Sequence, residues 1–232
     1  MTPLYIIPAR GGSKGIPRKN IKPLCGRPLI AYTIDAALEA RKSTGGTVLL
    51  STDDAEIADT ARALGLDVPY MRPAELATDT AGSREVILDA MDWADARGIA
   101  YDCVVLLQPT SPFRTSADIL ACIDALGPDD DMAVTVAPAH DNPYYTVFET
   151  AADGTLHISK GDGSYTRRQD CPPAWVYNGA VYAIRPESIR TMPMGAFPRR
   201  VPSVMPAERS TDLDNELDWL IAETIMARGA FQ

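Results

Sequence analysis

This 232-residue sequence has no long hydrophobic run, no closely paired cysteines and only two histidines. No apolar segment approaches the roughly 20 residues of a membrane-spanning helix, so we expect no membrane association. The first seven residues contain no basic group, which argues against a signal peptide. The four cysteines form no Cys-x-x-Cys pair and neither histidine has a spaced partner. We therefore expect reduced cysteines, a cytoplasmic location and no histidine-based metal site.

Acidic residues are absent from the first 34 positions, although the chain as a whole is acidic. That segment holds six cations: Arg10, Lys14, Arg18, Lys19, Lys22 and Arg27. It carries +6, which leaves −15 for the rest of a chain whose net charge is −9. Such a chain lacks the broad basic face that nucleic acids require, so we expect no nucleic-acid partner. A compact basic segment on an acidic body suits a small polyanion instead.

Strand-like and helix-like apolar patterns alternate along most of the chain. The predicted strands are residues 4–8, 47–51, 102–107, 132–137 and 181–184. The predicted helices are residues 28–41, 54–64, 83–97, 116–126 and 213–228. This βαβ repetition predicts an α/β fold, a single domain over residues 1–232 with a doubly wound, mostly parallel sheet.

Residues 139–173, here called the arm, break this alternation. Two short strand-like runs, 146–150 and 155–159, flank the turn signal Asp153-Gly154. We interpret the segment as a small inserted β arm. Because an isolated hairpin is marginally stable in water, we expect it to pack on something beyond the main sheet. A simple surface decoration is the alternative.

A basic, glycine-rich sequence follows the first predicted strand. Residues 6–20 read IIPARGGSKGIPRKN, and residues 9–20 are here called the glycine-rich loop. Glycines let backbone N–H groups approach phosphate oxygens, and the cations add charge. The P-loop spacing Gly-x-x-x-x-Gly-Lys-Ser/Thr is absent. A short-chain dehydrogenase turn would need a glycine at Pro17 and a Tyr-x-x-x-Lys pair, and neither is present.

The loop and four later segments resemble, in order, the signature of the acylneuraminate cytidylyltransferases, which make CMP-sialic acid and related CMP-sugars. The later segments read RPAELATD at 72–79, LQPTSPFR at 107–114, RQD at 168–170 with NGAVY at 178–182, and DLDNELD at 212–218. The match spans residues 4–226. It implies a Rossmann-like nucleotidyltransferase fold and transfer of CMP from CTP to the anomeric hydroxyl of an acidic 2-keto sugar, with release of pyrophosphate.

The resemblance also implies which residues bind the nucleotide. These are Ala9, Arg10, Gly11, Ser13, Lys14, Asn20, Arg72, Ala81 and Ser83. The resemblance places Asn20 on the ribose side and Arg72, Ala81 and Ser83 at the cytosine edge. It implies that the triphosphate is held by Arg10, Ser13, Lys14 and Lys19. The residues implied in catalysis are Arg10, Lys14, Lys19 and Asp214.

Two aspartates near the end of the sequence are the predicted metal ligands. Asp212 and Asp214 are two residues apart, so on an extended segment both side chains face one side. Mg²⁺ takes few protein ligands and completes its shell with water and phosphate, which suits such a pair. A helix-capping cluster is the alternative, and Asp218 fits a first-turn helix acid equally well. Because no histidine lies in a matched block, Asp214 is our choice to activate the acceptor hydroxyl.

For the acceptor, the resemblance implies contacts from Gln108, Arg168, Asn178 and Tyr182, with Arg168 binding the sugar carboxylate. The sequence departs from the sialic-acid pattern in two ways. Val176 stands where those members carry a second arginine, and only Phe197 lies near the place of their paired aromatic residues. These differences point away from sialic acid itself.

Three further expectations follow. The arm resembles the part of the family that reaches across a homodimer to complete the neighbouring acceptor pocket. A different small acidic acceptor, such as a phosphonate, stays open. A non-catalytic nucleotide sensor also stays open, although the intact Asp212 and Asp214 pair argues against it.

Overall fold

The computed structural model describes residues 1–13, 15–78 and 80–229 of the chain. Its strands are β1 Pro3–Pro8, β2 Pro23–Leu24, β3 Arg27–Pro28, β4 Thr47–Ser51, β5 Cys103–Leu107, β6 Met132–Pro138, β7 Phe148–Thr150, β8 Leu156–Ile158, β9 Trp175–Ile184 and β10 Arg200–Val204. Its helices are α1 Leu29–Thr44, α2 Ala55–Ala63, α3 Ser83–Asp95, α4 Ser116–Ala125, α5 Pro186–Thr191 and α6 Glu216–Ala227. No helix in the described ranges is long and apolar enough to cross a membrane.

Six strands form the central sheet in the order β10-β6-β9-β5-β1-β4. Neighbouring strands are parallel except where β9 pairs with β5 and with β6. Helices α1, α2 and α4 pack on one face of this sheet, and α3 and α5 pack on the other. The expected doubly wound, mostly parallel α/β fold is therefore confirmed.

The core explains why these segments take these forms. All five residues of β5 are buried, as expected for a central strand covered on both faces. Helix α3 buries Ile87, Ala90, Met91 and Ala94, which recur at a helical period. Each large apolar side chain buried in this way contributes about 1.5–3 kcal/mol.

The structure corrects several predicted boundaries. Strand β9 begins at Trp175, six residues before the predicted start. Strand β10 was not predicted, because Pro202 is unusual in a strand; it is tolerated here because β10 lies at the sheet edge. Helix α6 begins at Glu216, where Asn215 and Asp218 form a capping box, so residues 212–214 stay outside the helix.

The arm contains the predicted hairpin. Strands β7 and β8 pair antiparallel and form a two-stranded sheet separate from the main one. Both histidines are exposed, with His140 just before the hairpin and His157 on β8. The buried cysteines Cys103 and Cys122 are free thiols, as expected.

The sheet order also locates the functional site. From β1 the chain first adds β4 on one side and then β5 on the other, so the strand order reverses at β1. In doubly wound sheets, ligands bind in the crevice outside the carboxyl ends of the strands at such a switch point. The glycine-rich loop follows β1, and the segment 107–114 begins at the end of β5. The two segments therefore meet at the same crevice.

Candidate active site

A cleft with two adjoining parts lies at the carboxyl ends of β1 and β5. One part, the α3 part, has a volume of about 330 Å³ and reaches Arg72, Ala81 and Ser83. The other, the loop part, has a volume of about 320 Å³. The residues that line only the loop part are Ser13, Gly15, Lys19, Asn20, Pro109, Thr110 and Asp214. Both parts share Pro8, Arg10 and Gln108, so they are continuous.

The start of the glycine-rich loop is fixed by backbone hydrogen bonds. The N–H of Ala9 donates to the carbonyl of Ser51 at 2.9 Å, and the N–H of Gly11 donates to Asp53 Oδ1 at 3.0 Å. A Cβ on Gly11 would lie 2.5 Å from a carboxylate oxygen of Asp54, so this close approach requires glycine. The loop backbone is thus held against the segment between β4 and α2. Sequence reasoning gave Asp53 no role.

The far end of the loop is held by an ion pair. Arg18, in the left-handed region with φ of 55°, donates to the carboxylates of Asp54 and Glu56. Asp54 also caps α2 by accepting from the N–H groups of Glu56 and Ile57. The Arg18 guanidinium holds the pKa of Asp54 below its usual value. Arg18 therefore stabilises the loop and does not line the cleft.

Lys19 joins the glycine-rich loop to the segment before α6. Its ammonium donates to the carbonyl of Leu213 at 2.6 Å and lies 3.4 Å from Asp214 Oδ1. The backbone of Gly15 abuts the same segment so closely that a Cβ would lie 2.1 Å from the carbonyl oxygen of Asp214. A cation from the start of the chain and a carboxylate near its end therefore meet at the cleft. Lys14, the other lysine predicted here, lies outside the described residues.

Arg10 and Asn20 connect the two parts of the cleft. The Arg10 guanidinium reaches across to donate to the carbonyl of Thr78 at 2.9 Å. The buried Asn20 amide donates to the carbonyl of Arg10 at 3.0 Å, which closes the loop on itself. Ser13 lies beside them in the loop part.

In the α3 part, Arg72 is anchored rather than mobile. It is 6% exposed, and its guanidinium donates to the hydroxyl and carbonyl oxygens of Ser51 at 2.9 and 2.6 Å. Burial lowers the pKa of Arg72. Ala81 and Ser83 lie opposite at the start of α3, where Gly82 is the N-cap. The first N–H groups of a helix have no partner within it, so this end offers donors to a ligand.

The residues predicted to contact the sugar acceptor lie in three different environments. Gln108 lines both parts of the cleft, and Tyr182 lies beside it, with a pKa raised by burial and by the charge of Asp212. The Asn178 amide is engaged internally, accepting from Thr135 Oγ1 at 2.7 Å and donating to Ser210 Oγ at 2.9 Å. Arg168 is exposed on the arm and does not line the cleft in the described part of the chain.

A β-bulge makes room for Asp212. The register between β6 and β9 shifts between Val134 and Val136, and Gly179 takes a φ of +73° there. A Cβ on Gly179 would lie 3.2 Å from Asp212 Oδ2, so the strand passes directly over the carboxylate. Bulges of this kind commonly re-aim side chains next to active sites.

The carboxylate of Asp212 fits a metal ligand. Its Oδ1 is buried without a hydrogen-bond partner among the described residues. Burial raises the pKa of Asp212, the nearby hydroxyl of Thr110 partly opposes that rise, and the charge of Asp214 adds to it. A nearby divalent cation would relieve the effects of burial and of Asp214. In the described ranges no three His, Cys, Asp or Glu side chains form a metal cluster. Two carboxylates plus phosphate and water are nonetheless a common set for Mg²⁺.

Arg114 is buried next to the cleft and holds its wall in place. No role for it was predicted from the sequence. It is 3% exposed and donates to the carbonyls of Gln108 and Ala180 at 3.0 and 3.1 Å and to the hydroxyl of Thr33 at 2.6 Å. Burial lowers its pKa to about 10. Arg114 fixes the end of β5 to the bulge of β9.

Comparison with known proteins now adds to this geometry. The family model described as "Cytidylyltransferase" matches residues 4–203. This chain belongs to the cytidylyltransferase family. It is 32% identical over 226 residues to the CMP-N,N'-diacetyllegionaminic acid synthase of Legionella pneumophila subsp. pneumophila, covering 96% of this chain and 95% of that protein. It is 34% identical to the N-acylneuraminate cytidylyltransferase of Streptococcus agalactiae serotype V, over 95% of this chain but 52% of that protein.

Solved structures agree on the fold. The CMP:2-keto-3-deoxy-manno-octonic acid synthetase complexed with CTP superposes with a TM-score of 0.71 at 17% identity, over 99% of this cytidylyltransferase and 100% of that chain. The 4-diphosphocytidyl-2C-methyl-D-erythritol synthase of Anaerococcus prevotii superposes with a TM-score of 0.62 at 13% identity, over 98% and 99%. At such identities the likeness shows the nucleotidyltransferase fold alone.

The bulge at Gly179 is the first testable feature. Gly179→Ala places a Cβ in the left-handed region and against Asp212, so we expect a loss of about 1–2 kcal/mol in the free energy of unfolding. Urea denaturation measures the loss. Gly195→Ala is the control, since a Cβ there meets nothing within 4 Å, and its change should stay within about 0.5 kcal/mol. Equal midpoints for the two variants would contradict the argument.

The ion pair of Arg18 with Asp54 should make stability depend on pH. The folded pKa of Asp54 lies below the unfolded value of about 3.9, so its contribution is complete above that value and is lost as the pH falls through the folded pKa. Asp54→Asn keeps a good N-cap but loses the ion pair. We expect the stability gap between wild type and variant to be full at pH 7 and to shrink below about pH 4.

Urea denaturation at pH 7, 5 and 3 measures this gap. Asp59→Asn, at an exposed pair with Arg62, is the control and should cost less than about 0.5 kcal/mol at pH 7. A gap for Asp54→Asn that stayed constant down to pH 3 would show that the charge of Asp54 contributes nothing.

Proposed function

We propose that this cytidylyltransferase transfers CMP from CTP to the anomeric hydroxyl of an acidic 2-keto sugar of the sialic or nonulosonic acid type and releases pyrophosphate. The observation that carries the proposal is the continuous cleft, with anchored Arg72 at one end and Lys19 beside Asp214 at the other. Its similarity over nearly its full length to the Legionella CMP-N,N'-diacetyllegionaminic acid synthase supports this acceptor class.

In this proposal the nucleotide lies along the whole cleft. The base occupies the α3 part, within reach of Arg72, Ala81 and the free N–H groups at the start of α3. The triphosphate occupies the loop part, where Arg10, Ser13 and Lys19 provide charge-assisted and backbone hydrogen bonds. Arg10 and Lys19 are already held by the carbonyls of Thr78 and Leu213, so they would stabilise the charge that builds on the departing pyrophosphate with little reorganisation. Lys14 is proposed to join them.

Mg²⁺ is the proposed cofactor, held by Asp212 and Asp214. The buried, unpartnered Oδ1 of Asp212 and the 74% exposed carboxylate of Asp214 support this choice. When bound, the ion would neutralise phosphate charge and polarise the reacting phosphoryl group. Lys19 contacts Asp214 and keeps its carboxylate next to the glycine-rich loop.

For the transfer step, Asp214 is proposed to accept the proton of the acceptor hydroxyl. The hydroxyl oxygen forms a bond to the α-phosphorus, the bond from that phosphorus to the bridging oxygen breaks, and pyrophosphate leaves with the electron pair. Gln108 lies between the two parts of the cleft, and Tyr182 beside it, so both are proposed to orient the acceptor. Asn178 is proposed to act through the bulge that it stabilises.

A cytoplasmic location is part of the proposal. The free, buried thiols of Cys103 and Cys122 support a reducing compartment.

Turnover with CTP tests the function. We expect pyrophosphate release from CTP with an acidic 2-keto sugar and much less with ATP, GTP or UTP. Asp214→Asn should lower kcat by about 10²- to 10⁴-fold. Its melting temperature should barely change, because the side chain is mostly exposed. Asp129→Asn is the control, an exposed acid in the loop before β6 that does not line the cleft, and should keep full turnover.

Two outcomes would contradict this proposal, and each would favour a different function. CTP binding without pyrophosphate release for any acceptor would favour the nucleotide sensor. Release with a small phosphonate but with no keto sugar acid would favour the alternative acceptor.

A homodimer is also proposed, with the arm placing Arg168 at the acceptor site of the neighbouring copy. Arg168 is exposed on the arm, and the hairpin there exposes Phe148 and Leu156 by 53% and 67%. Isolated hairpins are marginal in water, so these side chains require a partner surface.

Sedimentation and complementation test the dimer. We expect a species of about twice the 25.0 kDa chain mass at micromolar concentration. Arg168→Ala and Asp214→Asn should each abolish most turnover, yet their co-expression should restore it, because one site of each mixed dimer keeps both residues. A monomer in sedimentation, or no recovery on co-expression, would contradict the shared site.

A further inference from the structure

A tyrosine behind the α3 part of the cleft holds helix α3. Tyr70 is 4% exposed, and its hydroxyl donates to Oδ2 of Asp89 on that helix. Its ring also contacts the ring of Trp93, one turn further along α3, with the centroids 5.7 Å apart. Among the described residues, neither Tyr70 nor Asp89 belongs to the lining of the cleft. Their hydrogen bond therefore acts on the cleft only through neighbouring side chains.

On its other side, Tyr70 adjoins the anchor of Arg72. The hydroxyl and carbonyl oxygens of Ser51 accept from the Arg72 guanidinium. Burial raises the pKa of Tyr70, the bond to Asp89 adds to that rise, and the hydroxyl of Ser51 opposes it. Burial lowers the pKa of Arg72, and the neighbouring Tyr70 and Asp89 oppose that effect. These four side chains are thus in mutual contact or close to one another, and they are here called the Tyr70 cluster.

The Tyr70 cluster links two opposite walls of the α3 part. One wall is Arg72, which is fixed to the end of β4 because its backbone N–H also donates to the carbonyl of Thr52 at 2.8 Å. The other wall is the start of α3, with Ser83, and Asp89 lies six residues along the same helix. Fixing Asp89 therefore fixes the start of the helix, because fewer than two helical turns separate them. Apolar packing holds α3 on the sheet without a preferred direction, whereas a hydrogen bond is directional.

We propose that Tyr70 is a positioning residue that fixes the distance between Arg72 and the start of α3, and that this distance sets the preference for a cytosine base. The inference rests on the proposed function and concerns its nucleotide specificity. Cytosine accepts hydrogen bonds at O2 and N3 and donates from its amino group, whereas uracil donates from N3 and accepts at O4. Two walls distinguish these bases only if both stay within hydrogen-bond distance of the ring.

Isothermal titration with CTP and with UTP, in the presence of Mg²⁺, tests the inference. Tyr70→Phe removes the hydroxyl and keeps the ring beside Trp93. We expect Kd for CTP to rise by about 2- to 30-fold, as for other residues that act on a ligand without touching it. Kd for UTP should change less, so the preference for CTP should fall. In turnover, KM for CTP should rise while kcat stays nearly unchanged, because the loop part is unaltered.

Variants of Asp89 separate the hydrogen bond from the charge. Asp89→Asn keeps an oxygen that can accept from Tyr70, so it should retain most of the preference for CTP. Asp89→Ala should resemble Tyr70→Phe. The double variant Tyr70→Phe/Asp89→Ala should lose little more than either single variant, because both remove the same contact. Asp89→Ala also carries the test if Tyr70→Phe fails to fold.

Tyr101→Phe is the matched control. The hydroxyl of Tyr101 donates to Asp95 Oδ1 at 2.8 Å, at the far end of α3. Neither of these two residues lines the cleft within the described ranges. This variant should lower the melting temperature and leave the ratio of Kd for UTP to Kd for CTP unchanged.

Four results would overturn the inference. A lower melting temperature of Tyr70→Phe with an unchanged Kd ratio would show a structural role alone, and equal weakening of CTP and UTP would show that the cluster does not select the base. An Asp89→Asn variant as impaired as Asp89→Ala would assign the effect to the charge of Asp89. Equal binding of CTP and UTP by the wild type would remove the preference itself. A wild type that prefers CTP but releases no pyrophosphate would instead contradict the proposed transfer, and the titrations would still test Tyr70.

Discussion

The contact of Lys19 with the Leu213–Asp214 segment is the interaction on which the rest of the site depends. It joins residues 194 and 195 positions apart in sequence, the loop after the first strand and the segment before the last helix. Without it, the cations of the loop and the two carboxylates would be separate surface charges. With it, positive and negative groups lie at one crevice, and the buried carbonyl contact fixes the distance between them.

Two buried arginines hold the walls of the cleft, and among the described residues neither has a carboxylate as a hydrogen-bond partner. Arg72 donates to Ser51 at the end of β4, and Arg114 donates to the carbonyls of Gln108 and Ala180. Carbonyl acceptors at the ends of strands are held in place by the sheet. The guanidinium groups that donate hydrogen bonds to them are therefore held in place as well. Their burial is costly, which the lowered pKa values of both residues reflect. The cost is consistent with side chains that position a ligand site.

Most of the fold and part of the site could be predicted from the sequence, and physical reasons explain the remainder. The all-apolar β5 and the helical period of α3 are local patterns, so both elements were predicted within two residues. Strand β10 carries Pro202, and its edge position depends on the whole sheet. The roles of Asn178 and Arg114 were out of reach for the same reason. Asn178 bonds to Thr135 and Ser210, and Arg114 to Thr33 and Ala180, so their partners lie on distant elements.

The bulge at Gly179 and the orphaned oxygen of Asp212 are best understood together. A left-handed glycine lets β9 pass directly over Oδ2 of the carboxylate, while Oδ1 is buried without a hydrogen-bond partner among the described residues. The folded chain alone gains nothing from burying an unpartnered acid. The desolvation of this oxygen would be offset if the proposed Mg²⁺ bound there, because the fixed oxygen would coordinate without having to reorganise. A glycine at position 179 therefore serves the proposed metal site, because it lets β9 close over the acid that would hold the ion.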